Sequence, residues 1–523
     1  MISILTSDEA VRLIPNGATV AVNPLPIEDV FSAFGRVFEA TGAPNGLTIV
    51  WTAGIGPFSE ERKGMNHFAY PGMVKRLIGG HYGLNHLLGK MVALEQVEAY
   101  NLPQGAISQL YREIAAKRTG LITKVGLGTF VDPRQDGGKV NERTKSSEDL
   151  VELIQIGKQE LLRYKTFQLD IGIIRGTSVD PQGNLTNEDD AFSMEALELA
   201  MAVKNCGGKV IAQVARLLDE PANPHHVCVP GIFIDYVVVA SSKELHPHTL
   251  FVQEDPSYTG KVRASLDAEF RPVPLCAEKV ICRRAAMELR PDTNVNLGVG
   301  IPMGVAGVAF EEGMLHRITF NTEVGAIGGL PEGGRNFGPA KNPTAFMSQA
   351  QMFDFYDGGG LDLACIGLAQ ADVNGNVNVS KLGPRLIGCG GFINITQSSK
   401  ECIFCGEFRA GGLDVAVENG AVVIRREGKT SKFLHAVQQI TFSGEFARTQ
   451  GLRILFVTER CVFRLTPDGL LLSEVAPGID IERDIVGQME FKPIVPADVP
   501  LMDPRIFRDE AMGISAEFFG SAH

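Results

Sequence analysis

No run of apolar residues in this chain approaches the ~20 needed to cross a bilayer. Met1 to Glu9 lack a basic stretch and a long apolar core, so a signal peptide is not expected. The expectation is a cytoplasmic protein, or an organellar one whose presequence is already gone. Basic residues are outnumbered, 49 Lys and Arg against 61 Asp and Glu, for a formal net charge of −12. A nucleic-acid binder carries a basic stripe, so neither nucleic acid nor membrane is an expected partner. An anionic small molecule stays open, because a local basic patch suffices for it. The nine cysteines are an odd, scattered set and give no disulfide framework. Cys402-Ile403-Phe404-Cys405 is a lone C-x-x-C; zinc would need two more ligands at usable spacing, and the alternation reads as a buried strand. Of ten histidines none sits in a motif, and His246 and His248 read as loop residues. There is no G-x-S-x-G elbow, Walker-type loop or H-E-x-x-H. Gly298-Val299-Gly300-Ile301-Pro302 is not a dinucleotide fingerprint, since position 303 is Met.

The 523 residues imply two large domains or three smaller ones, at ~100 to 200 residues each. Apolar residues at 44% and charged residues at 21% are ordinary for a globular chain, and 58 glycines point to many tight turns or ligand-facing loops. Strands at 18–22 and 47–51 flank a helix marked by Val30, Phe31, Phe34, Val37 and Phe38, a parallel βαβ unit. Asn101-Leu102-Pro103-Gln104-Gly105 and a helix over 106–118 place an amide side chain and a helix N-terminus at one spot, although an ordinary turn reads as well locally. Residues 134–148 read as exposed. A helix is expected over 147–163, with Ser147 as its cap. A strand at 169–174, a turn at 180–184, a helix at 193–204 and strands at 209–214 and 236–240 complete a first domain, 1–245. Residues 246–275 form the linker. A second domain, 276–523, has helices at 276–290 and up to 312, and strands at 295–297, 318–320 and 363–367. Gly388-Cys389-Gly390-Gly391 then precedes another strand. Strands at 421–424, 454–458 and 461–465 suggest a late sheet, and the tail from 494 wraps the surface or a partner.

Leu169-Asp170 with Asp180-x-x-Gly183-Asn184 matches Leu361-Asp362 with Asp372-x-x-Gly375-Asn376 at the same spacing. More loosely, 49–56 mirrors 318–325, with Ala53 or Gly54 where the second copy has Glu323. The fold class is therefore α/β, two tandem related open domains, of which one carries the acid.

That acid ends a β-branched and aromatic run, Ile318 to Phe320, and opens a loop with glycines at 325, 328, 329, 333 and 334. Open α/β sheets bind ligands at such strand ends, yet a solvated glutamate in a Gly-rich loop reads equally well locally. With the standard nucleophiles missing, a carboxylate can itself form a covalent intermediate. An acyl group attacked by it passes through an oxyanion that needs fixed N–H donors, which Gln104 and the amides around Gly390-Gly391 could supply.

Taken together, Asn101 to Gly105, Glu323-x-Gly325-x-x-Gly328-Gly329, Asp354 to Leu363, Gly375 to Ser380 and Gly388 to Phe392 resemble family I CoA-transferases over nearly the full length. The likeness is nearest to the fused-chain short-chain acyl-CoA:acetate or propionate enzymes. It implies an active site at the domain interface, with Glu323 as catalytic glutamate and Gln104 and Gly391 as oxyanion groups. The reaction would be a ping-pong exchange of CoA between a short-chain acyl-CoA and a carboxylate, through an acyl-glutamyl anhydride and a glutamyl-CoA thioester. The family's pattern often has Glu-Asn-Gly or Glu-Ser-Gly; here Val324 replaces the small polar residue. Gly300, Gly325, Gly328, Gly329, Gly359 and Gly390 are expected at the substrate. Lys381, Arg385 and Arg335 are the candidate cations for CoA phosphates. Coenzyme A is expected as substrate, with no permanent cofactor and no metal, in a homo-oligomer, tetramer or dimer. The alternatives are an acyl-CoA hydrolase using the same glutamate, or a non-catalytic acyl-CoA-binding relative.

Overall fold

A computed structural model describes residues 3–192, 194–266 and 273–520. In the first half, β1 (Thr19–Val22), α1 (Glu28–Thr41) and β2 (Leu47–Trp51) form the expected parallel unit. Next come β3 (Val74–Gly79), β4 (Glu98–Asn101), α2 (Gln104–Ala115), β5 (Gly120–Thr123), β6 (Val151–Ile156), β7 (Gln159–Lys165) and β8 (Ile171–Val179), then α3 (Ala196–Asn205), β9 (Lys209–Leu217) and β10 (Tyr236–Val239). The second half begins with α4 (Ala277–Ala286), β11 (Thr293–Leu297), α5 (Gly304–Glu311) and β12 (Ile318–Asn321). It continues with α6 (Gln349–Asp357), β13 (Leu363–Gly367), α7 (Phe392–Ser398), β14 (Glu401–Cys405), β15 (Arg453–Val457), β16 (Cys461–Thr466) and β17 (Gly469–Val475).

The sheets share a parallel centre. In the first the order β2-β1-β8-β9-β10 is parallel throughout, and in the second β12-β11-β13-β14-β15 repeats it. The repeated aspartates explain the match. Asp170 accepts the N–H of Thr19 at 2.8 Å, and Asp362 that of Asn294 at 2.9 Å, each fixing where a central strand begins. Asp180 and Asp372 each gather two backbone N–H groups and an Asn side chain, Asn184 or Asn376, in the same turn. Strand pairing corrects the looser alignment. Thr19 faces Thr48 and Asn294 faces Thr319, so four residues further on it is Thr52, not Ala53 or Gly54, that stands where Glu323 does.

Three other expectations give way. Residues 147–163 form the β6–β7 hairpin, not a helix: Gly157 takes a positive φ of 61° in the turn between Ile156 and Gln159, and β7 pairs with β5. Val151, Leu153 and Ile154 fit helical and strand spacings alike, and the β5 partner decides between them. The stretch 134–148 is not wholly exposed, since Val140, Asn141 and Thr144 are buried and Asn141 donates to the carbonyls of Val92 and Val97. Directly after Gly391 the chain enters helix α7, and the next strand waits until Glu401. The late strands β15 to β17 extend the second sheet, except that Ala421–Arg426 pairs separately with Asp414–Glu418. The tail folds back on its own half, where the buried Arg283 donates to the carbonyls of Ile506, Arg508 and Glu510.

The halves share one apolar cluster. Val324, Leu386, Cys389 and Ile393 of the second are buried in the core of the first. At ~1.5–3 kcal/mol for each large apolar side chain removed from water, this holds the joint where the candidate residues lie. Part of the expected linker, 267–272, lies outside the described residues. Of the rest, Thr249 donates to Asn336, and the N–H of Ala264 to Asn342. Among the described residues no helix is long and apolar enough to cross a membrane.

Candidate active site

Glu323 stands just past the end of β12, in a turn closed by Gly325 N–H donating to Thr322 O at 3.0 Å and Thr322 N–H to Ala326 O at 2.9 Å. Gly325 takes φ 118°, and a Cβ there would overlap the carbonyl oxygen of Met347. Gly328 and Gly329, both at φ 72°, are likewise covered by Thr344 and by the Lys341 carbonyl. The three glycines therefore let residues 341–347 lie flat on the loop and pin Glu323 in place.

The first half meets it from the end of β4. Asn101 donates to the carbonyls of Gly79 and Gly80 at 2.8 and 2.6 Å and accepts the N–H of Cys389 at 2.9 Å. Gly390 N–H donates to Gly80 O at 2.8 Å, and Gln104 N–H to Gly390 O at 2.9 Å. Gly391 then caps α7, where backbone N–H groups have no partner within the helix. A Cβ on Gly391 would lie 3.5 Å from Glu323 Cγ. The Gln104 side chain is buried, and its Nε2 has no hydrogen-bond partner among the described residues.

Burial pushes the Glu323 carboxyl above its ordinary value, against its own backbone N–H and the Asn296 side chain. Asn296 donates to Asn321 O at 3.2 Å, and Tyr356 donates its hydroxyl to Asn321 Oδ1 at 2.6 Å. Burial and the Glu323 charge hold the Tyr356 phenol well above its usual range. His81, whose Cδ2 lies 3.6 Å from where a Gly390 Cβ would stand, is driven down to about 4 by burial and stays neutral at pH 7. The arrangement is a buried carboxyl beside the Gly391 helix start, with the Gln104 side chain, its Nε2 unpartnered among the described residues, beside the neighbouring Gly390. Such a set can serve attack on an acyl carbon.

The sequence profile of the coenzyme A transferase family matches residues 4–240. The chain is 45% identical over 524 residues to caffeate CoA-transferase of Acetobacterium woodii, covering 98% of this chain and 99% of that one. It belongs to the family I CoA-transferases. Acetate CoA-transferase YdiF of Escherichia coli K12 is 38% identical, over 98% of this chain and 96% of the relative. The crystal structure of acyl-CoA transferase YdiF from E. coli O157:H7 as a thioester complex with CoA superposes with a TM-score of 0.91 at 36% identity, covering 98% of this chain and 97% of that one.

Within this family member, Glu323, Gln104, Gly390 and Gly391 come together. Gly300 lies on the exposed tip past β11, at the same sheet edge as Glu323, with open space where a Cβ would be. Gly359 does not join them, because it follows α6 and leads into the start of β13, at the opposite edge of a parallel sheet. The Lys381 ammonium donates to the Val140 carbonyl at 3.3 Å, Arg385 lies 3.5 Å from His86 Nε2, and Arg335 sits over the Phe251 ring at 5.1 Å. Cys402 and Cys405 are buried in β14, and no group of three or more potential ligands is placed for a metal among the described residues. His246 and His248 are loop residues bonded to Gln213 and to the N–H of Asp255.

Reading the sequence assigned no role to Asn296, Tyr356, His81, Asn394 or Asp357, although Tyr356 and Asp357 lie in the motif at 354–363. Asn394 is buried, donating to Asp357 and accepting the N–H of Gly105. Burial pushes Asp357 up to about 7, against hydrogen bonds from Asn394 and Gln109. A polar residue within an apolar strand, as at Val295-Asn296-Leu297, was the one usable signal.

Proposed function

We propose that the protein moves CoA between a short-chain acyl-CoA and a free carboxylate, with Glu323 as nucleophile and Gln104 and Gly391 as oxyanion donors. Glu323 attacks the thioester carbon, forming an acyl-glutamyl anhydride and releasing the CoA thiolate. The thiolate attacks the glutamyl carbon, expelling the acyl group as a carboxylate and leaving a glutamyl-CoA thioester. An incoming carboxylate reverses both steps. Each tetrahedral state puts negative charge on an oxygen, and one fixed donor is worth ~10²- to 10³-fold in rate. The observation that carries this reading is the meeting, from opposite halves, of the Gln104 amide and the Gly391 helix cap beside a buried carboxylate.

The solved relative described as a thioester complex with CoA supports the covalent route. The acetate-named relative supports a short-chain acid, and the caffeate-named one makes an aromatic acid the rival, so acetate, propionate and caffeate belong in one acceptor panel. The same reading divides the chain into 1–245, a linker 246–275 and 276–523, with coenzyme A as substrate and the chain as a homo-oligomer.

Mass spectrometry after incubation with acetyl-CoA tests it. A CoA adduct on the peptide holding Glu323, absent in Glu323→Ala, is expected. A fully active Glu323→Ala variant without any adduct would end the proposal. Release of free acid that ignores added carboxylate would instead establish a hydrolase.

A further inference from the structure

Two helices from opposite halves start at the proposed oxyanion donors, α2 at Gln104 and α7 just after Gly391. One side chain bridges them. Asn394, on the first turn of α7, accepts the N–H of Gly105 at 3.2 Å and donates to both carboxylate oxygens of Asp357 at 3.0 and 3.1 Å. Gly105 N–H is among the first of its helix and has no acceptor within it. Asp357 ends α6 and also accepts Gln109 Nε2, one turn along α2, at 2.9 Å. Gln109 further donates to Asp354 at 3.1 Å, and Asp354 pairs with Arg112. Contact is close, since a Cβ on Gly105 would overlap Asn394 and the Phe353 ring.

Apolar packing alone would hold such a joint, and a buried polar pair adds little net stability over it. What directional bonds add is geometry. We propose that Asn394 and Asp357 are a positioning pair that sets the spacing between Gln104 and Gly391, so that both donors address one oxyanion. The pair touches no reacting atom and acts through the two helix starts. The inference rests on the assignment of Gln104 and Gly391 under Proposed function.

An exchange of the two side chains separates positioning from bulk structure. Asn394→Asp alone replaces the donating amide by a second acid. At pH 9, well above the about 7 of Asp357, the two carboxylates repel and the bridge breaks, so all variants are compared at that pH. Asp357→Asn with Asn394→Asp rebuilds it in reverse, because the new carboxylate at 394 still accepts from Gly105 and now accepts from the amide at 357. Misplacement by ~1 Å is worth about 10²-fold. Asn394→Asp is therefore expected to lose about 100-fold in kcat and in kcat/KM together, the mark of an interaction used in the transition state. The double variant is expected to return to within ~10-fold of the parent, with the rate of glutamyl-CoA formation moving in parallel. Full kcat in Asn394→Asp, or a folded double variant no faster than the single one, would overturn the proposal. If Asn394→Asp does not fold, Asp357→Asn, which keeps one acceptor toward Asn394, is expected to lose about 10-fold at unchanged KM, and wild-type kcat there counts against the pair. Failure of the parent protein to form the Glu323 adduct would sink the underlying assignment instead, so the two failures are told apart.

Discussion

Gln104 donates its backbone N–H to the carbonyl of Gly390 at 2.9 Å, although 286 residues separate them and they belong to different halves of the chain. The bond ties the start of α2 to the residue before Gly391, where a Cβ would lie 3.5 Å from Glu323 Cγ. The proposed site therefore draws on both halves, from the end of β4 and from the loop before α7.

Gln104→Ala removes the side-chain donor and keeps the backbone bond to Gly390. The expected loss is ~10²- to 10³-fold in kcat, with little change in KM for acyl-CoA. Steady-state kinetics together with the rate of adduct formation at Glu323 check this. A kcat within twofold of the parent would remove Gln104 from the oxyanion site.

Glu323 must be ionised to attack, and burial raises its pKa. The acid limb of kcat/KM, which reports the free enzyme, is therefore expected above the ~4.3 of an ordinary glutamate. Asn296 favours the charged form by its hydrogen bond, so Asn296→Ala is expected to move that limb to still higher pH. A limb that stays put, or moves down, contradicts the assigned electrostatics.

Much of this was legible in the residues and some was not. The matched aspartates at 170 and 362 announced two related sheets because each makes the same bond to a strand start. Glu323 stood out as a candidate because it follows an apolar strand and precedes glycines, but a solvated glutamate fits that stretch equally well, and only the full motif set pointed to it as nucleophile. The β6–β7 hairpin escaped because its apolar spacing fits two periods, and only the pairing with β5 chooses. Gly325, Gly328 and Gly329 looked like ligand-facing glycines, yet their missing side chains are occupied by residues 341–347, a contact with no local signal. Asn394 and Asp357 were invisible as a pair, since only the docking of α2 on α6 and α7 brings Gly105 and Gln109 to them.

Gly325→Ala adds a Cβ where the Met347 carbonyl already lies, at a φ that side-chain-bearing residues rarely adopt. Backbone, not a flexible side chain, must move. A loss of about 1–3 kcal/mol is expected in chemical denaturation, along with a fall in kcat, because the turn carries Glu323. Unchanged stability would mean that residues 341–347 yield freely.

Glu195 supplies a test of pH-dependent stability away from the nucleophile. It is fully buried at the start of α3 and accepts the hydroxyl of Thr52, the positional counterpart of Glu323, at 3.0 Å. Its other oxygen has no partner among the described residues, and burial pushes the carboxyl up to about 8. Between the ordinary ~4.3 of an unfolded glutamate and about 8, the native state holds a proton that the unfolded chain has lost. Stability therefore falls as pH rises through that window, by up to ~1.4 kcal/mol per pH unit for one group. Asp357, pushed up to about 7, contributes a slope of the same sign that ends lower. Glu323, Glu401 and Glu407, also raised by burial, add slopes of the same sign, so the Glu195 share is read from the difference between the parent and Glu195→Gln. Glu195→Gln keeps the acceptor for Thr52 and removes the titration, so its stability curve is expected to be flatter than the parent's through that window and to cross above it at alkaline pH. Urea denaturation at pH 5 to 9 checks this, and parallel curves for the two proteins would show that Glu195 is ionised in the native state.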